Sequence, residues 1–192
     1  MSVLFGTLSG DLLTLGEGAP PDIDTMIRGV SAEPRWRGQT KRPWSLAQHA
    51  LLVARLVPPE YRAEALHHDD EEVFLGDWPT PLVRAMTISG MPAEAFRAKV
   101  RAWAASRWFM MGAELSPVVK AADRRALIIE AVMMCHSRML GWLDVGPSEG
   151  LTGMEATQFH EVDGFGDHAG MRWAIEVLDA SKVAPVVKGN GP

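Results

Sequence analysis

Three stretches of the chain repeat apolar side chains at the spacing of an α-helix, and each sets an ionisable residue on or beside its inner face. The first begins at Ser45-Leu46-Ala47-Gln48, a capping box with Ser45 as N-cap and Gln48 three residues on. Leu46, His49, Val53 and Leu56 then share one side, which places His49 on the apolar face, and Pro58-Pro59 ends the helix. The second spans about Glu60 to Leu75 and stops at Gly76; His68 and Glu72, four apart, share a side. The third opens at Ser116-Pro117, an N-cap followed by proline at the first helical position, and runs to about Leu140. Its stripe is Val119, Ala122, Ala126, Ile129 and Met133, and Asp123 borders it.

A further amphipathic stretch, Pro92 to Met111, carries Phe96, Val100 and Trp103 and closes at Gly112. Asp22 can cap a short helix through Arg28, and Met171 to Ser181 reads as a last short one. Glycines and prolines through residue 22 predict an irregular lead-in with few strands, and Gly141 to Gly170 reads as loop. The expected fold is an all-α bundle in a single domain covering residues 1–192, with the tail 183–192 flexible.

Composition removes several function classes. With 47% hydrophobic and 22% charged residues the chain is globular rather than disordered. A net charge of −5 argues against a broad surface for a nucleic-acid polymer. Cys135, the one cysteine, excludes an intrachain disulfide and a cysteine zinc cluster, and its apolar neighbours suggest a buried thiol. No apolar run is long enough to span a membrane, and MSVLFGTLSGDLLTLGEG lacks the features of a signal peptide, so the expected location is cytoplasmic.

The polar residues on the inner faces require an explanation. A histidine on an apolar stripe is ordinarily a packed core residue, and a charge run is ordinarily a solvated face. Yet a buried carboxylate costs several kcal/mol unless a partner takes its charge. Two imidazoles (His49, His68) and two carboxylates (Asp69, Asp123) on three helices answer one another's cost if a divalent cation sits among them. Nitrogen and oxygen donors without sulfur suit cobalt, manganese, zinc, iron or magnesium. Such a cation would acidify a water near neutral pH. Glu72, one turn beyond His68, is placed to move a proton, and Asp77, beyond the Gly76 stop, to orient the water or protonate the leaving group. An anionic substrate would need the basic loop holding Arg35, Arg37, Lys41 and Arg42, and Lys120, three residues before Asp123. Trp36 could stack on a base. Asp70 and Glu71 are expected at the solvent surface, and His67 beside the site or exposed rather than as a ligand.

His49, the pair His68-Asp69, and the distant Asp123 resemble the HD superfamily of metal-dependent phosphohydrolases. The extended segments AQHALLVA, ALHHDDEEVFLGDWPTP and VKAADRRAL look like the branch holding the YfbR-like 5′-deoxynucleotidases and phage dATP triphosphohydrolases. The resemblance covers about residues 7–140. It implies a helical bundle with the metal between helices, Glu72 and Asp77 as catalytic residues, Arg35 and Lys120 on phosphate, and Trp36 against base or sugar. It also implies a homodimer or higher homo-oligomer. Two positions depart from the pattern: Val83, with Arg84 next, stands where relatives often carry a lysine, and Gln39 stands where some carry a histidine.

The expected function is hydrolysis of deoxynucleoside 5′-monophosphates. A triphosphohydrolase releasing intact triphosphate, with Arg37, Lys41, Arg42, Arg124 and Arg125 meeting the extra charge, is the alternative. A catalytically silent, nucleotide-binding domain is the third.

Overall fold

The computed structural model describes residues 2–111, 114–136, 143 and 150–182, without the side chains of Thr80 and Pro81. The expected flexible tail, 183–192, and the expected helix stop at Gly112 lie outside the described residues.

The fold is built around one helix. α1 (Ile23–Ala32) is capped by Asp22, whose carboxylate accepts the Thr25 N–H, so the cap was legible although the helix runs a turn past Arg28. α2 (Leu46–Leu56) starts at the expected capping box, with Ser45 and Gln48 bonded reciprocally. Every side chain from Leu46 to Ala54 is buried, so α2 is a central helix rather than an amphipathic one. α1 and α3 (Arg62–Leu66) pack on it, as do α7 (Pro117–Met134), α8 (Gly153–Asp163) and α9 (Ala169–Ala180). Trp44 stacks on Phe159 at 4.9 Å to close the core at its N-terminal end.

Between these lie α4 (Glu72–Leu75), α5 (Thr80–Ala85) and α6 (Ala93–Ala105). The strands are short: β1 (Leu4–Gly6) pairs antiparallel with β2 (Leu12–Thr14), and β3 (Thr87–Ile88) with β4 (Met91–Pro92). Among the described residues no helix is long and apolar enough to cross a membrane.

Several expected boundaries differ. The helix expected over Glu60 to Leu75 is three pieces: a 3-10 turn at Pro59–Tyr61, then α3 and α4, with a string of turns over residues 67–71 between the two helices. The 92–111 stretch is helical only to Ala105. α7 ends at Met134 because Cys135 turns to extended backbone, and on it Met134 rather than Met133 is fully buried. Cys135 is buried as expected. Helix α8 lies inside the region read as loop, opened by a Thr152–Glu155 capping box.

Candidate metal centre

His49 is carried by the middle of α2 and is fully buried. Its Nδ1–H donates to Glu130 on α7 at 2.7 Å, which leaves Nε2 as the inward-facing atom. His68 comes from the turns after α3. Its Nδ1–H donates to the Ala65 carbonyl at 2.8 Å, which again leaves Nε2 as the inward atom. The two Nε2 atoms stand 3.2 Å apart.

The broken helix explains how neighbours reach one point. On a regular helix His68 and Asp69 would diverge by about 100°. Here the chain turns at residues 67–71, and an oxygen of Asp69 comes to 3.1 Å from His68 Nε2 and 3.6 Å from His49 Nε2. Asp123, the seventh residue of α7, brings Oδ1 to 3.1 Å from His49 Nε2 and 3.7 Å from His68 Nε2. One ligand atom from each of the four residues lies within 4.8 Å of every other. Donors held about 2.1 Å from a shared ion stand about 3.0 Å apart across a right angle, close to the 3.1–3.7 Å between the Nε2 atoms and the carboxylate oxygens. The group could therefore hold a metal ion. The imidazoles are wholly buried, while the Asp69 and Asp123 side chains are 15% and 31% exposed, so the cluster opens to solvent on its carboxylate side.

Without an ion these groups must share protons. Burial and the Arg35 guanidinium act to lower the His49 value, and Glu130 and Asp123 outweigh them, lifting it to about 9. Burial likewise opposes the His68 charge, and Asp69 and Asp123 raise its value well above the ordinary one. Both aspartates are held below the carboxylate range against the cost of burial, Asp69 chiefly by His68 and Asp123 by its bonds to both histidines.

Beside the cluster lies a buried charge network. Arg35 is 5% exposed. Its Nη1 donates to Glu72 at 2.6 Å and lies 3.5 Å from Asp69 and 3.4 Å from Asp77. Arg97 of α6 donates to the other Glu72 oxygen at 2.8 Å. Glu72 is thus clamped between two guanidinium groups, yet burial and Asp69 push its carboxyl up to about 8.

The loop that delivers Arg35 is tied to the start of α2. The Arg35 N–H donates to the Trp44 carbonyl and the Leu46 N–H to the Glu33 carbonyl, both at 2.9 Å. Trp36 and Arg37 then adopt left-handed backbone, φ 56° and 53°, which costs of order 1–3 kcal/mol each in non-glycine residues. Asp77 holds this turn: its carboxylate accepts the Trp36 backbone N–H at 3.1 Å. Asp77 is itself fixed by its own N–H, which donates to Glu33 at 2.9 Å, just after Gly76 turns the chain at φ 82°. The Trp36 indole N–H donates to Glu130 at 2.9 Å.

Of the expected residues, His49, His68, Asp69, Asp123, Glu72, Asp77, Arg35 and Trp36 are brought together. Lys120, three residues before Asp123 on α7, is exposed, with its amine 3.8 Å from Glu114. Val83 is buried and Arg84 exposed. Asp70 and Glu71, expected at the surface, are 2% and 1% exposed. Asp70 accepts from His67 at 2.6 Å, and that imidazole, also buried, stacks on Trp108. Glu71 accepts from Arg97 and Arg101 at 3.2 Å each, and burial pushes it up to about 7. Surface was the wrong expectation because the break after α3 turns both acids inward, Asp70 onto His67 and Glu71 toward α6. The arginines that meet Glu71, four residues apart on α6, carried no signal in sequence. Glu130 did carry one, as a lone acid in the apolar run ALIIEAVMM.

A cavity of about 1000 Å3 lies elsewhere, between α2, α3 and α9, and none of the four ligands lines it. Size alone does not mark chemistry; convergent polar groups with displaced protonation do.

No family model matches the chain. It is similar to two curated proteins over parts of their length. One is the uncharacterized protein YfdR of Escherichia coli (strain K12), 39% identical over 64 residues, 33% of this chain and 36% of that protein. The other is the uncharacterized protein RCAP_rcc00048 of Rhodobacter capsulatus, 37% identical over 90 residues, 41% of this chain and 46% of that protein. The matched region thus spans less than half of either relative.

Proposed function

We propose that this chain is a divalent-metal-dependent phosphohydrolase of the HD superfamily that cleaves deoxynucleoside 5′-monophosphates to deoxynucleoside and phosphate. One observation carries the reading: His49 and His68 each spend Nδ1 on a protein acceptor and turn Nε2 toward one oxygen each of Asp69 and Asp123. A bound cobalt, manganese, zinc, iron or magnesium ion would supply the charge that acidifies a water near neutral pH.

The remaining chemistry falls to the chain's own side chains. Arg35 Nε is buried and has no hydrogen-bond partner, an uncompensated donor costing about 1–3 kcal/mol. A phosphate oxygen would satisfy it. A phosphate on Arg35 would compete with Glu72 for the guanidinium, leaving Glu72 able to exchange a proton beside the cluster. In hydrolysis a water oxygen gives a proton to a carboxylate of the site and bonds to phosphorus, the P–O5′ bond breaks, and a proton passes to O5′ from Glu72 or Asp77.

Monophosphate is favoured over triphosphate by where the other cations go. Arg42 pairs with Asp163, Arg125 with Glu155, Lys41 donates to the Met133 carbonyl and Arg124 to the Leu143 carbonyl. Four of the five side chains that could neutralise extra phosphates are thereby engaged elsewhere.

The test is product analysis. Cobalt- or manganese-loaded protein is incubated with panels of deoxynucleoside mono- and triphosphates, and the products are separated by ion exchange. Orthophosphate from monophosphates is expected. Intact triphosphate from the second panel would replace this reading with a triphosphohydrolase. No turnover with metal bound would replace it with nucleotide binding alone.

A further inference from the structure

We infer that Glu130 is a positioning residue for the metal centre: one buried carboxylate fixes His49 with Nε2 turned into the cluster and anchors the Trp36 indole to the same point. The inference rests on the metal reading of the His49 cluster and adds a residue to it.

Glu130 is fully buried in α7 among Ile128, Ile129 and Ala131. Burying a carboxylate there costs several kcal/mol, and an apolar side chain of similar size would pack the same space as well or better. What an apolar residue cannot do is accept. Glu130 accepts three N–H groups: His49 Nδ1 at 2.7 Å and Trp44 Nε1 at 2.9 Å on one oxygen, and Trp36 Nε1 at 2.9 Å on the other. A carboxylate is acceptor-only, so once an ion takes Nε2 from its 3.1 Å contact with Asp123, the ring keeps its proton on Nδ1 against Glu130. That assignment leaves Nε2 as the donor atom to an ion, and a carboxylate behind an imidazole strengthens it as a ligand. His68 has the same arrangement with a weaker partner, the Ala65 carbonyl.

The second oxygen gives the site its other link. Trp36 follows Arg35 on the left-handed turn, and its indole is tied to the carboxylate behind His49 through the oxygen that Trp44 and His49 do not use. A single side chain therefore holds both the metal-facing ring and the ring beside the phosphate-binding arginine.

Glu130→Gln separates these roles, because an amide has one accepting and one donating end. If its oxygen serves His49 and Trp44, its NH2 opposes the Trp36 N–H; if it is reversed, its NH2 opposes His49 Nδ1–H. Zinc titration by calorimetry with nitrogen-detected NMR of the histidine rings and tryptophan indoles reads both ends. Wild-type protein is expected to take up zinc with the His49 proton on Nδ1. Glu130→Gln is expected to bind zinc about 10–100-fold more weakly, with the Trp36 or the His49 resonances displaced. Trp36→Phe assigns the indole signal. Zinc affinity within twofold of wild type, with both rings unmoved, overturns the inference and leaves the metal reading standing. No zinc uptake by the wild-type protein overturns both. Should Glu130→Gln not fold, the zinc-loaded wild type still decides: a proton on His49 Nε2, or zinc on Nδ1, overturns the inference.

Discussion

His49 Nε2 and His68 Nε2 lie 3.2 Å apart, and neither can turn away, because each ring's Nδ1 is bonded on its far side. Two neutral imidazoles so placed would face each other lone pair to lone pair. Only a proton or a cation between them makes the contact favourable, and Asp69 and Asp123 supply the negative charge that either would need. The buried cluster is therefore a site for positive charge whichever species fills it, and the choice can be read thermodynamically.

An ion that binds the folded protein alone must stabilise it. At a free zinc or manganese concentration about a hundredfold above Kd the gain is about 2.7 kcal/mol, or roughly 5–10 °C in Tm for a domain of this size. Thermal melts with metal and with chelator are expected to differ by that much in the wild type and not in His68→Ala. Equal shifts in both proteins would place the binding elsewhere.

The resemblance assigns Arg35 to phosphate. The structure also makes it a cation of a buried network with Glu72, Asp69 and Asp77. Removing one partner of a buried ion pair leaves uncompensated charge and costs about 3–5 kcal/mol. Arg35→Ala is expected to lose stability of that order in urea unfolding, in addition to any effect on phosphate affinity. A loss under about 1 kcal/mol, on the scale of an exposed pair, would show that the network relaxes without Arg35.

What the sequence disclosed and what it hid follow a physical line. Ser45, Asp22 and Ser116 act on the backbone three residues away, so their caps could be read from local pattern. His49, His68, Asp69 and Asp123 were legible because ionisable groups on apolar faces need a joint explanation. The break at residues 67–71 was not legible. Its residues suit a helix, and the interactions that accompany the turn are tertiary: Arg101 on the His68 carbonyl and on Glu71, and Arg97 on Glu71 and Glu72. Asp70 and Glu71 were misplaced for the same reason. Helix α8 was missed although Thr152 and Glu155 signalled it, because surrounding glycines outweighed a single capping box.

Gly29 sets how closely α1 approaches α4, which begins at Glu72. A Cβ there would lie 2.1 Å from Val73 Cγ1, far inside contact distance. Gly29→Ala is expected to destabilise by about 1–3 kcal/mol through overpacking, and most of that loss should vanish in a Val73→Ala background. Chemical unfolding of the four proteins of the cycle checks it. A penalty unchanged by Val73→Ala would move the conflict away from that side chain.

Acid sensitivity is expected from Glu155, remote from the metal cluster. Its bond to Arg125, with the Thr152 N–H and hydroxyl, holds its carboxyl at about 2, against an ordinary value near 4.5. A carboxyl depressed on folding contributes stability that is present above its unfolded value and lost as pH falls through its folded one. The contribution should therefore be whole at neutral pH and fade between about 4.5 and 2. Glu155→Gln keeps a residue able to complete the Thr152 capping box but removes the charge that titrates. Its urea midpoint is expected below that of the wild type at pH 7, with the gap closing across that acid window. A gap that stays constant from pH 7 to pH 2.5 would mean that the Arg125 pair adds no charge-dependent stability to the start of α8.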